Sequence, residues 1–117
     1  MSRRESEFCE TLEGARVRAE AHAAAAKNSQ GALLDLIEFY RNLSPSARER
    51  ANDELASWLL SDDDTRRFDA EAITLEFSIG VLGPTLLQLL MRLKSSGSPG
   101  APYEAAKVQR ILGRLST

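Results

Sequence analysis

The chain has 117 residues, with 15 lysines and arginines against 17 acidic residues and a net charge of -2. That length fits one domain and is too short for two with separate cores. At 43% hydrophobic and 27% charged, the composition excludes a disordered or membrane-embedded chain, and the acidic balance argues against a general nucleic-acid binder.

The single cysteine, Cys9, allows no internal disulfide and fits a reducing cytoplasm. Arg3 and Arg4 are followed by Glu5, Glu7, Glu10 and Glu13 with no apolar core behind them. That pattern is neither a secretory signal nor a mitochondrial presequence. The most apolar run, 81–91, is interrupted by Gly83, Pro84 and Gln88 and falls short of the roughly 20 residues that cross a bilayer. A cytoplasmic chain with no membrane partner is expected.

Residues 1–28 predict a first helix, with Phe8, Leu12, Ala15, Ala19, Ala23 and Ala26 on one face. Its alanines favour helix but offer little area to bury, so it docks closely or frays. Residues 28–31 read as a break, with Ser29 as a cap. A second helix over 32–43 carries Leu33, Leu36, Ile37 and Tyr40 as its stripe. Ser44-Pro45 starts a third: serine accepts a bond from an orphan amide, and proline at the first helical position loses no needed donor. It runs over 45–60 with Ala47, Ala51, Leu55, Trp58 and Leu59 inward.

Asp62, Asp63 and Asp64 open a fourth helix over 63–79, where acids favour the helix dipole. Its expected inward stripe is Phe68, Ala72, Leu75 and Ile79, widened by Ile73, and Gly80 is the expected left-handed cap. Gly83-Pro84 starts a fifth helix whose leucines and Met91 leave little polar face, which predicts a central position. Residues 95–101 form a flexible loop before a sixth helix over 103–115, burying Val108, Ile111, Leu112 and Leu115. No segment alternates as a strand would, so the fold class is all-α.

Charge is uneven along the chain. Residues 61–82 hold two bases and six acids, whereas 83–117 hold five bases and one acid. An acidic helix therefore precedes a basic C-terminal third.

No catalytic constellation emerges. His22, the only histidine, lies among alanines and reads as a surface residue rather than a base. Cys9 lies more than two helical turns from it and reads as a small filler, not a nucleophile. No nucleotide-binding, nucleophile-elbow or zinc-protease motif is present. Asp62, Asp63, Asp64 and Asp69 could offer oxygens to calcium, but without EF-hand spacing they read as capping and surface charge. Catalysis, cofactors and metals are not expected. Lys107, Arg110 and Arg114 make a basic helical stripe that could touch phosphates; pairing with the chain's own acidic helix is the plainer reading.

Protein binding remains. Tyr40, Trp58 and Tyr103 could anchor an interface, although an inward tryptophan usually belongs to the core. Asp62, Asp63, Asp69 and Glu76 spread over the start and outer faces of the fourth helix and would attract a basic partner.

Residues 64–90 resemble one HEAT-type helical repeat. An Asp-rich start precedes a helix with Arg67 and Ala70, and Pro84, Leu86, Leu87, Leu89 and Leu90 follow in a second helix. The resemblance implies about six helices in a compact antiparallel α-α stack of helical hairpins, used for protein binding. Small bacterial proteins of HEAT-like form include toxin-neutralising immunity proteins, which makes a basic protein partner the expectation. The alternative is a self-associating scaffold, with the alanine-rich helix and Trp58 in a homomeric contact.

Overall fold

The computed structural model describes residues 11–26 and 29–116. Among them are six α-helices: α1 (Leu12–Ala26), α2 (Ser29–Arg41), α3 (Pro45–Leu59), α4 (Asp64–Phe77), α5 (Gly83–Lys94) and α6 (Ala101–Leu115). A 3-10 turn, Gly80–Leu82, precedes α5. No strand occurs among the described residues, so the fold is all-α. Phe8, Cys9 and Asn28 lie outside the described residues, but residues 29–31 of the expected break are helical, in α2, so Ser29 opens that helix three residues before the expected start. The contacts divide the chain into two units, Met1–Glu54 and Leu55–Thr117.

In the first unit, α1 packs along α2. Leu12, Ala15, Ala19 and Ala23 are buried, as their spacing predicts, so this alanine face is spent internally. The helix begins at Leu12, because Thr11 is not helical. Thr11 is the reason: its Oγ1 accepts from the Gly14 amide at 3.0 Å, the bond of a helix cap. Glu54, from α3, accepts the next orphan amides, Leu12 N–H at 2.8 Å and Glu13 N–H at 3.2 Å. A carboxylate at a helix N-terminus also meets the positive end of the dipole.

Ser44 caps α3 as expected, accepting from the Ala47 amide at 3.2 Å. Ala47, Ala51, Leu55, Trp58 and Leu59 are all buried.

In the second unit, α5 packs most closely on α6, and α4 lies beside α6. The two halves of the HEAT-resembling segment, α4 and α5, are not the closest pair. The Asp63 side chain caps α4 by accepting from the Thr65 amide at 2.9 Å. The left-handed residue at the other end is Ser78, with φ 51°, and not Gly80. The Ile79 amide donates to the Thr74 carbonyl at 3.1 Å, which closes a Schellman-type end. Ile79 is itself buried, so the chain must turn inward one residue before it, where the sequence supplies serine.

The buried face of α4 differs from the expected one. Ala70, Glu71, Ile73 and Thr74 are inside, whereas Phe68 is 44% exposed. On α5 the leucines 86, 89, 90 and 93 are buried, but Leu87 and Met91 face solvent. The helix is therefore one-sided rather than central. On α6 the buried residues are Ala101, Glu104, Ala105, Val108 and Ile111, and Leu112 and Leu115 are half-buried.

Candidate functional site

The feature that organises the second unit is a set of four charges between α4 and α6. Arg67 and Glu71 lie one turn apart on α4; Glu104 and Lys107 lie one turn apart on α6. The Glu71 side chain is fully buried, and that of Glu104 is 6% exposed. Such groups stay inside only when paired.

Arg67 supplies most of the pairing. Its Nε donates to Glu104 Oε2 at 2.8 Å and its Nη2 to Glu104 Oε1 at 3.0 Å. This two-point geometry suits the planar guanidinium and makes a strong charge-assisted pair. Nη1 donates to the Ser61 carbonyl at 3.0 Å, and Nη2 also reaches Asp64. The Glu104 bonds hold the guanidinium above its ordinary protonation range. Burial opposes ionisation of Glu104, but the bonds from Arg67 and the neighbouring cations outweigh it and keep its carboxyl below the usual range.

Glu71 is the opposite case. Burial, and then its hydrogen bond with Glu104, push its carboxyl up to about 8 against the pull of Lys107. Lys107 Nζ stands 3.1 Å from Glu71 Oε1. The same ammonium lies 5.0 Å from the centre of the Phe68 ring, within cation–π reach.

Two clefts meet over this cluster. One, of about 300 Å³, is lined by Asp62, Asp64, Arg67, Phe68, Arg92 and Glu104 among others. The second, of about 320 Å³, is bounded by Phe68, Gly100, Tyr103, Glu104 and Lys107. Phe68 lines both, and Tyr103 is 82% exposed. The first cleft is floored by the Arg67–Glu104 pair, and Arg92 Nη1 donates to the Leu60 carbonyl at its edge, at 2.7 Å.

The residues expected at an interface are placed unequally. Asp62 is exposed at the mouth of the first cleft, and its carboxylate has no ion pair or hydrogen bond among the described residues. Asp63 caps α4 and pairs with Arg66 at 2.7 Å, so its charge is engaged in the helix start. Asp69 is half-buried and Glu76 exposed, a heptad apart on α4.

Trp58 and Tyr40 are corrections: both rings are buried, at 4% and 3% exposed. Tyr40 donates its hydroxyl to Asn52 at 2.8 Å, with the Arg48 guanidinium 4.9 Å from its ring. Burial raises its hydroxyl pKa against the effects of Arg48 and Asn52.

His22 is 76% exposed and 3.4 Å from Asp35, on the surface of the first unit. Among the described residues no three His, Cys, Asp or Glu side chains gather as a metal site requires. Nor is any described helix long and apolar enough to cross a membrane.

Phe68, Glu71 and Glu104 were missed as candidate site residues, whereas Lys107 pairs with the acidic fourth helix as its sequence predicts, through Glu71. The only signal in the sequence was opposite charge one turn apart, Arg67 with Glu71 and Glu104 with Lys107, which reads equally well as two exposed within-helix pairs.

No protein-family model, curated protein or solved structure matches the chain. The functional reading therefore rests on the geometry of the α4–α6 surface.

Proposed function

We propose that the chain is a non-catalytic protein-binding module of the cytoplasm, which takes a basic segment of its partner against the start of α4. The observation that carries this reading is the first cleft. Its base is held by a saturated Arg67–Glu104 pair, its wall is the exposed Phe68 ring, and Asp62 stands unpaired at its mouth. A rigid base with an exposed aromatic ring is the anatomy of an interface anchor. An unpaired carboxylate beside it favours a cationic side chain, and Asp69 and Glu76 extend the acidic side of α4.

The resemblance of 64–90 to a HEAT-type pair points the same way, because such stacks bind proteins. Within that class the finer proposal is an immunity or antitoxin-like protein that masks a basic toxin surface. In this reading the charges of Arg67, Glu71, Glu104 and Lys107 hold the scaffold and take no part in a reaction. Cofactors and nucleic acid have no role in this reading.

The test is affinity capture from the host with the native chain and with Asp62→Lys and Phe68→Ala variants. The reading expects a basic protein that is retained by the native chain and lost from both variants. Retention unchanged by either substitution would refute the site, and an acidic captured protein would refute the electrostatic mode.

A second reading, self-association, is favoured by Leu87 and Met91, one turn apart on α5 at 52% and 69% exposed. It no longer draws on Trp58 or the alanine face of α1, which are buried. Sedimentation at high micromolar concentration separates the two readings: a monomer excludes self-association.

A further inference from the structure

The outward face of α6 carries a stripe that neither reading uses. Tyr103, Lys107, Arg110 and Arg114 follow one another at helical spacings, which sets them in one sector of the helix over about 16 Å of its length. Tyr103, Arg110 and Arg114 are exposed, and the Lys107 side chain is 37% exposed. The one acid of α6, Glu104, is buried under Arg67, so no exposed carboxylate on this helix offsets the cations. Asp69 and Glu76 do not offset them from α4 either. They stand two and nine residues beyond Arg67, which meets α6 through Glu104, and at about 100° per residue this places them on the far side of α4.

At its N-terminal end the stripe runs into the second cleft, where the Phe68 and Tyr103 rings are both exposed. This space of about 320 Å³ admits one large apolar side chain. Lys107 stands at the junction, its Nζ 3.1 Å from Glu71 Oε1 and 5.0 Å from the centre of the Phe68 ring. An ammonium has three donors, so one bond to Glu71 leaves its exposed side open to a second carboxylate. Arg110 makes no hydrogen bond or ion pair among the described residues.

We propose that this face docks an acidic peptide segment of a partner: a large apolar side chain enters the second cleft between Phe68 and Tyr103, and carboxylates further along the segment meet Lys107, Arg110 and Arg114. The rings supply the anchor, and the row of cations sets orientation and register. A stripe of about 16 Å matches about five residues of extended chain or eleven of helix. A nucleic-acid strand suits the face less. Asp62 and Asp64 line the cleft that shares Phe68 and repel phosphates carried past the rings, whereas an apolar side chain there brings no charge to them. This surface does not rest on the basic segment proposed for the first cleft, whose charge is read by Asp62.

The test is a nitrogen-15 NMR titration of the full chain with a synthetic peptide of about ten residues, one leucine followed by alternating glutamate and alanine. Amide shifts should move at Phe68 and along 100–114, and binding should weaken as salt is added. Tyr103→Ala, at an 82% exposed site where folding is tolerant, should weaken binding about tenfold, as loss of an aromatic anchor does. Arg110→Glu should weaken it too, whereas Asp62→Lys should not. The Asp62 variant separates the two sites, because a failure of the first-cleft reading leaves this titration unchanged. No shift at about 1 mM peptide, a weak limit for any specific contact, overturns the proposal, and so do shifts confined to α1 and α2. Equal binding by a peptide with alanine in place of its leucine overturns the anchor. Tighter binding by an oligothymidylate of the same length, lost in Tyr103→Ala and Arg110→Glu, overturns the peptide as occupant.

Discussion

Replacing Glu71 with glutamine should stabilise the protein in neutral solution and do nothing in mild acid. Glutamine has the size of the protonated glutamic acid and can still donate to Glu104, so it copies the neutral state permanently. The native carboxyl holds its proton up to about 8 in the folded chain, against an ordinary glutamate value of 4.5. Between those values the folded state binds a proton that the unfolded state has released. Stability must then fall as pH rises, by at most about 1.4 kcal/mol per unit. From pH 5 to pH 7.5 the accumulated loss is about 3 kcal/mol, a large share of the roughly 5–15 kcal/mol of a typical domain. Urea denaturation followed by helical circular dichroism, at half-unit pH steps, gives the two stability curves directly. They should meet near pH 5 and diverge above it, with the glutamine variant higher. Parallel curves would refute the assignment of the proton to Glu71.

Three further outcomes follow from named contacts. Arg67→Ala strands Glu104, buried and charged, and should cost about 3–5 kcal/mol, whereas Arg66→Ala, whose partner Asp63 is 36% exposed, should cost about 1 kcal/mol or less; urea midpoints compare them. Ser78→Gly removes the strain of a left-handed serine at φ 51° and should stabilise by about 1 kcal/mol, read as a higher melting temperature. Glu54→Ala leaves the Leu12 and Glu13 amides without their acceptor, so hydrogen exchange should quicken in the first turn of α1 and not in α4.

Helix starts set by adjacent residues were legible in the sequence. Ser44-Pro45 and Gly83-Pro84 begin α3 and α5 where capping chemistry places them. The inward face of α3 was legible too, because its polar and apolar residues separate cleanly around the helix. What depended on distant partners was not. The start of α1 is fixed in part by Glu54, some forty residues away. The face of α4 is turned by Glu104 and Lys107, which bury Glu71 and leave Phe68 outside. Apolar periodicity favours the reverse, since it ranks phenylalanine inward and glutamate outward. Gly80 was the natural left-handed residue by conformational freedom alone, but the burial of Ile79 decided the turn at Ser78. Trp58 and Tyr40 had the chemistry of interface anchors, but packing used them inside.

The central claim is that the start of α4 and the start of α6 together receive a protein partner. Hydrogen exchange of the chain with and without the captured partner addresses it directly. The account predicts new protection over residues 62–68 and 100–107, with α1 and α2 unchanged. Protection confined to α1 and α2, with the α4–α6 clefts still exchanging freely, would contradict it.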